Sequence, residues 1–307
     1  MSTTDSQKNN RSNQRESEKR GELNAGSTLS NSPVLVGRIS RRQFLLRNAA
    51  AVGAAAFGEV ALGEGEPQVT RYRLAIAGLR EPVRMVQLSD LHRSWCVSEA
   101  YLRRVVTQTN ALQPHAALLT GDFVTDSSTY MDSCCRVLKE LNAPLGSFAV
   151  LGNHDHACDR HRGGPVITEA LEGLGVRVLT NDSFRLGNRL NIIGIDDFTM
   201  GRPDPDQAFS GVRREEPGLV LTHNPMLFPW LEGTNYITVA GHTHGGQINV
   251  PVVTRSLMRR KHRYLKGWFH ARTGPGKMYV SRGVGVVGIP IRLRCDPEIT
   301  LFELFPA

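Results

Sequence analysis

The sequence has little cysteine, no long clean apolar run and no internal repeat. Its five cysteines (Cys96, Cys134, Cys135, Cys158 and Cys295) never stand in a C-x-x-C spacing. An odd count cannot close entirely into internal disulfides, so no disulfide framework is expected. The weakly apolar tract over 48–63 is broken by Gly53, Gly58 and Glu59, too short and too interrupted for a convincing transmembrane helix. Without a repeat or a second linker, one folded domain is the economical reading, although 307 residues would allow two. What is present is ordinary globular composition, 40% hydrophobic and 21% charged. The formal net charge is +8, and residues 1–66 hold nine Lys or Arg against seven Asp or Glu, which leaves +6 on the remainder. Such an excess suits an anionic substrate or a membrane surface.

Residues 1–39 are expected to be disordered, because Ser, Asn, Gln and charge dominate and too little apolar surface offsets chain entropy. Residues 40–66 open with Ser40-Arg41-Arg42-Gln43-Phe44-Leu45-Leu46 and continue into the Ala/Gly-rich tract. Paired arginines, a Phe and a weakly apolar run resemble a twin-arginine export signal, with Ala61-Leu62-Gly63 as a small-residue cleavage candidate. That route carries folded proteins. It implies the twin-arginine translocase as a partner and the periplasm or cell envelope as the location, with or without membrane association. Residues 67–307 remain as the folded domain.

Within it, 71–77 and Val83–Leu88 read as strands, the second running into Ser89-Asp90-Leu91-His92. Ser98 caps a helix carrying Leu102, Val105, Val106 and Thr109 at helical spacing, stopped by Pro114. Ala116–Thr120 is a short strand that delivers Gly121-Asp122, and a helix over 129–141 leads to a strand over 147–151 that delivers Gly152-Asn153-His154-Asp155. A helix over 166–174 and strands over 176–179, 190–195, 219–222, 236–240, 278–281 and 299–304 complete the pattern. Strand, acidic loop and helix in alternation predict a layered α/β arrangement. In open α/β sheets, ligands sit beyond the carboxyl ends of strands.

Those ends present Asp90, His92, Asp122, Asn153, His154, His223, His242 and His244. His242 and His244 stand one residue apart in Gly241-His242-Thr243-His244-Gly245-Gly246-Gln247, where glycine lets backbone approach a ligand closely. A lone Asp after a strand is most often a cap or turn residue, and a lone His beside apolar sequence is more often a satisfied core group. The joint pattern over five strand ends is what points to metal. Carboxylate, amide oxygen and imidazole without thiolate suit Mn, Fe or Zn. Eight groups exceed one tetrahedral site; two ions sharing a bridging carboxylate, roughly 3.5–4 Å apart, would need about this many.

Asp90-Leu91-His92, Gly121-Asp122, Gly152-Asn153-His154-Asp155, His223 and Gly241-His242-Thr243-His244 stand in the order of the calcineurin-like metallophosphoesterase superfamily, which the chain resembles over residues 83–304. Tyr279-Val280-Ser281-Arg282-Gly283-Val284-Gly285 and Pro297-Glu298-Ile299 resemble the closing blocks of its bacterial phosphodiesterases exported by the twin-arginine route. The resemblance implies an αββα sandwich of mixed sheets flanked by helices. It implies Asp90, His92, Asp122 and His244 around one divalent ion and Asp122, Asn153, His223 and His242 around a second, with Asp122 as the bridge. His154 would stay off the metals beside the scissile phosphate, and Asp155 would orient His154 or brace its loop; these two are the catalytic candidates. Two cations would polarise the phosphoryl oxygens and lower the pKa of a bridging water, so that hydroxide attacks phosphorus in line. His154 would stabilise charge or protonate the leaving oxygen. The chain departs from the family's Asp-x-His-x-Gly block at Ser94, and Asp126 falls one residue late for a ligand, so it receives no metal role. Asp196 and Asp197 either face the pocket or cap the next segment.

Arg255, Arg259, Arg260, Lys261, His262, Arg263 and Lys266 interleave with Tyr264, Trp268 and Phe269. This stretch over 255–269 is either a solvated loop or a rim for an anionic lipid headgroup, a sugar nucleotide or nucleic acid. A peripheral membrane contact is expected there, and no stable nucleic-acid partner. Arg282 is the candidate for contacting substrate phosphate, with a surface salt bridge as its alternative. The expected function is hydrolysis of a phosphodiester, lipid-, nucleotide- or wall-linked, in the cell envelope. Pyrophosphate-bond hydrolysis of a lipid-precursor sugar nucleotide of the UDP-diacylglucosamine type is the alternative within the same chemistry. A non-catalytic interaction module is the alternative from another class, and it would show lost ligands, whereas every ligand position is filled.

Overall fold

The computed structural model describes residues 60–187, 190–213, 215–249 and 263–307. The expected disordered segment, the twin-arginine motif and most of the basic run lie outside the described residues.

Alternating apolar residues along each strand decide the layering. Strands β2 (Gln68–Ile76), β3 (Val83–Leu88), β4 (Ala116–Thr120), β5 (Ser147–Val150), β6 (Arg177–Val178) and β14 (Glu298–Pro306) make one sheet in the order β2-β14-β3-β4-β5-β6. Strands β7 (Asp182–Leu186), β8 (Leu190–Gly194), β9 (Gly218–Leu221), β10 (Ile237–Ala240), β11 (Gly267–His270) and β12 (Lys277–Val280) make the other, ordered β11-β12-β10-β9-β8-β7. Both are mixed: β3 to β6 run parallel with β14 antiparallel to β3, and β7 and β11 are antiparallel edges on a parallel centre. Met85, Leu118, Phe148, Leu219, Val239 and Phe302 pack together, joining the two sheets face to face. Their neighbours Val86, Leu119 and Ala149 turn the other way, against α1 (Glu99–Ala111), α2 (Met131–Leu138) and α4 (Gly163–Glu172). On the far side of the second sheet, Val220, Ala240 and Val280 meet Phe228 and Leu231. This is the αββα sandwich.

Ser98 caps α1 by accepting the Tyr101 N–H at 3.1 Å. The helix expected over 129–141 is shorter, a 3₁₀ turn Ser128–Tyr130 followed by α2. Helix α3 (Asn153–His161), expected only as a loop, begins directly at the site residues. Edge strands β7 and β11 escape sequence reading because their half-exposed residues carry little apolar alternation.

Residues 60–66, excluded from the folded part on sequence grounds, belong to it. Strand β1 (Val60–Leu62) pairs antiparallel with β13 (Ile291–Leu293), and the Gly63 N–H donates to the Pro290 carbonyl at 2.9 Å. The Ser98 N–H donates to Glu64 Oε1 at 2.6 Å. A partner some 230 residues away leaves no local signal, which is why the boundary at 67 falls inside the described fold. No helix among the described residues is long and apolar enough to cross a membrane.

Candidate metal centre

Five loops at the carboxyl ends of strands bring the polar residues together. Asp90 and His92 follow β3, Asp122 follows β4, Asn153 and His154 follow β5, His223 follows β9, and His242 and His244 follow β10. Asp90, His92, Asp122, His242 and His244 have φ between 47° and 72°. Left-handed backbone in a non-glycine residue costs of order 1–3 kcal/mol and concentrates where function requires it. Surrounding hydrogen bonds enforce it here: the His92 N–H donates to the Asp122 carbonyl at 2.9 Å, the Gly241 N–H to the His223 carbonyl at 3.0 Å, and the His242 N–H to Asp90 Oδ1 at 3.0 Å. A Cβ on Gly241 would stand 2.5 Å from Asp90 Oδ2, so the last loop can close on the first only with glycine there.

The side chains converge in two groups. His92 Nε2 lies 3.0 Å from His244 Nε2 and 3.4 Å from Asp122 Oδ2, and His244 Nε2 lies 3.4 Å from Asp90 Oδ1. His223 Nε2 lies 3.2 Å from Asp122 Oδ2, 3.1 Å from Asn153 Oδ1 and 3.2 Å from His242 Nδ1. Ligand atoms of Asp90, His92 and His244 fall within 4.8 Å of one another, as do those of Asp122, His223 and His242. A third such group joins His154 to His92 and Asp122, placing His154 at the junction.

The donor set fits divalent cations. His223 Nδ1 donates to the Thr120 carbonyl at 2.8 Å, and His154 Nδ1 to the Thr125 carbonyl at 3.0 Å. A carbonyl only accepts, so Nε2 keeps the lone pair in each neutral ring, the usual support of a metal-binding imidazole. The lone pair of His223 Nε2 therefore faces the oxygens of Asp122 at 3.2 Å and Asn153 at 3.1 Å, an arrangement that repels itself unless a cation or a proton intervenes. Burial pushes His92 down to about 3 and Asp90 up to about 6. Burial, with neighbouring His92, also holds His244 well below the usual imidazole range. Burial opposes charge on His223 too, yet the Asp122 carboxylate lifts it well above that range.

Asp155 touches no imidazole. Its Oδ2 accepts the N–H groups of Asp122 at 2.8 Å and Gly152 at 2.9 Å, and its Oδ1 that of Phe123 at 2.8 Å. Of the two roles expected, these contacts are those of a loop brace. Arg282 directs Nη2 to Glu298 Oε1 at 3.3 Å, and Glu298 is itself buried with hydrogen bonds from Tyr279 and Thr70. One nitrogen of the Arg282 guanidinium is thus paired with a buried carboxylate, a contact deeper than the surface salt bridge expected as the alternative. Asp196 accepts from His156 Nε2 and the Arg202 N–H, each at 2.8 Å, and Asp197 Oδ2 accepts the Thr199 and Met200 N–H groups at 2.7 Å. Both cap the segment after β8, and Asp126 is exposed. Sequence reading missed Thr125, whose carbonyl and hydroxyl orient His154 and His92. A lone Thr three residues past Asp122 carries no signal.

Fold and site together define a metal-binding phosphoesterase, a hydrolase. The family model described as calcineurin-like phosphoesterase matches residues 83–246, and the chain belongs to that family. It is 31% identical to the phosphodiesterase YaeI of Escherichia coli over 87% of this chain and 99% of that protein. It is 30% identical to the metallophosphoesterase YkuE of Bacillus subtilis over 87% of this chain and 98% of that protein. A third relative, the UDP-2,3-diacylglucosamine pyrophosphatase LpxG of Chlamydia muridarum, is 27% identical over 72% of this chain and 83% of that protein.

Proposed function

We propose that the chain hydrolyses phosphodiesters with two divalent ions, one held by Asp90, His92, Asp122 and His244, the other by Asp122, Asn153, His223 and His242. The observation that carries this reading is Asp122 Oδ2, which borders His92 Nε2 at 3.4 Å and His223 Nε2 at 3.2 Å, so one carboxylate serves both groups. When bound, such ions polarise phosphoryl oxygens, offset developing charge and supply a nucleophile near neutral pH; Mn, Fe and Zn all suit these donors. His154 is half-buried, with Nδ1–H fixed on the Thr125 carbonyl. Its Nε2 is free to hold a proton for the leaving oxygen, a role worth about 10²–10⁴-fold in rate. Asp155 keeps the Asp122 and Gly152 loops in register beneath it.

Hydrolysis of a bis-aryl phosphodiester and an aryl phosphomonoester, with added Mn and with chelator, tests the reading. Metal-dependent cleavage, faster on the diester, is expected; if neither ester is cleaved with any divalent metal, the enzyme reading fails. The proposed setting in the cell envelope rests on the resemblance of the stretch around Arg41-Arg42 to a twin-arginine export signal. Replacing both arginines with lysine should trap the protein in the cytoplasm, and continued export would sink that location.

A second reading, cleavage of a lipid-linked pyrophosphate, is favoured by the surface around the site. Seven large apolar side chains are exposed among the described residues, and three of them, Trp95, Trp230 and Ile248, lie in the segments that follow the site-bearing strands β3, β9 and β10. Phe198, also exposed, meets Trp230 in edge contact at 5.5 Å. Apolar side chains so placed suit an acyl-bearing substrate or a membrane surface. LpxG, by name, acts on UDP-2,3-diacylglucosamine. Faster turnover of that compound than of its deacylated form, with Trp230→Ser narrowing the difference, would support this reading; equal rates on the two would remove it.

A further inference from the structure

Arg292 is 1% exposed and lies outside both donor groups, yet it is the largest fully buried side chain described. Its guanidinium meets main-chain carbonyls: Nη2 donates to Arg282 and Gly283, each at 3.0 Å, and to Gly285, while Nη1 donates to Cys295 at 3.2 Å. Among the described residues no carboxylate forms an ion pair with it. A buried cation whose hydrogen bonds all go to carbonyls and a thiol is a costly arrangement, and fixing a geometry is one use for it.

Three of the four carbonyls it gathers belong to the loop that lies directly on Asp90. The Val284 N–H donates to the Ser89 carbonyl at 3.0 Å, and the Gly285 N–H to the Asp90 carbonyl at 2.7 Å. A Cβ on Gly283, at φ 68°, would stand 2.7 Å from Asp90 Cβ, so this loop sets where the Asp90 carboxylate can be. From the same segment, Cys295 Sγ donates to the His244 carbonyl at 3.1 Å. One short stretch, Arg292 to Cys295, therefore backs Asp90 through that loop and His244 directly, and among the described residues none of its hydrogen bonds reaches His223, His242 or Asn153.

We infer that Arg292 is a positioning residue for the first metal site: through the 282–285 loop it fixes Asp90, and so sets the affinity of the Asp90–His92–His244 group without touching metal or substrate. The inference rests on the two-ion reading above. Its test is calorimetric titration of the metal-free full chain with Mn, comparing the parent with Arg292→Met and Arg292→Lys. His244→Ala and His242→Ala serve as references that mark the first and the second site. Arg292→Met should weaken the first site roughly 10–100-fold, the range for outer-shell partners of metal ligands, and leave the second within about threefold. Arg292→Lys keeps the charge but not the planar fork that reaches several carbonyls; it should show the same selectivity and decides the matter if the methionine variant does not fold. Parent-like affinities at both sites in a folded variant, or an equal fall at both, would overturn the inference. A parent that binds no divalent ion would sink the two-ion reading itself, an outcome visible before any variant is compared.

Discussion

The two donor groups share Asp122 but sit in different surroundings. Asp90, His92 and His244 are buried, backed by the 282–285 loop and by Cys295. In the second group His223 is buried, while His242 and Asn153 are half-buried, and His154 stands half-buried beside the junction. Water and substrate therefore reach the assembly from the side of the second group and His154. On the proposed two-ion reading, the enclosed group would retain its ion and the open one would admit a phosphoryl oxygen.

Removing the shared residue erases the distinction. Asp122→Asn should lower the bound metal from two ions per chain toward none and activity by at least roughly 10⁴-fold, as loss of one member of a catalytic unit does. Metal content after dialysis checks it, and a variant that retains two ions would show that Asp122 is not the bridge. His154→Ala should keep both ions and lose about 10²–10⁴-fold in turnover. Full activity there would mean the proton comes from elsewhere, and a lost ion would mean the third group is a true ligand set. His244→Ala and His242→Ala sharpen the contrast further. Each should weaken one site selectively, the buried first site for His244 and the open second site for His242, with ion exchange faster at the second in the parent.

The separation of fold and site explains what could be read beforehand. Strands such as Val83–Leu88 and Ala116–Thr120 were legible to the residue, because buried parallel strands are short apolar runs ending in polar loops. The ligand candidates were legible because each stands where its strand ends. What could not be read depends on contacts distant in sequence. Strand β1 exists through β13, Arg282 is paired with Glu298, and Arg292 looks in sequence like any cation near a strand. Asp155 is the instructive case: the motif places it beside His154, but two N–H groups of the Asp122 loop and the Gly152 N–H of its own loop claim its oxygens.

That bracing predicts a stability effect without loss of a ligand. Asp155→Asn keeps the size but turns one acceptor into a donor facing N–H groups. The loss should be about 1–3 kcal/mol, the cost of leaving buried donors unsatisfied. A domain of this size would then melt roughly 2–4 °C lower per kcal/mol. An unchanged melting temperature would assign the brace to the backbone alone.

The smallest expected effect lies at the rim, where His156 Nε2 meets Asp196 Oδ1 at 2.8 Å. Burial opposes charge on His156, but the Asp196 hydrogen bond and charge raise its pKa above the ordinary 6.5. Burial likewise opposes charge on Asp196, while His156 and the Arg202 N–H hold it below the ordinary 3.8. A raised histidine contributes stability that is complete below its unfolded pKa and fades as pH rises through the folded one. A lowered carboxylate contributes above its unfolded pKa and fades as pH falls through the folded one. The pair therefore stabilises most fully between about 4 and 6.5. Its contribution is on the order of 1–2 kcal/mol for a partly buried, charge-assisted bond. The quantity to measure is the difference in melting temperature between the parent and His156→Gln at each pH. That difference should be largest near pH 5.5 and shrink by pH 9 as the imidazolium loses its proton. A difference constant across that range would reduce the contact to a neutral hydrogen bond.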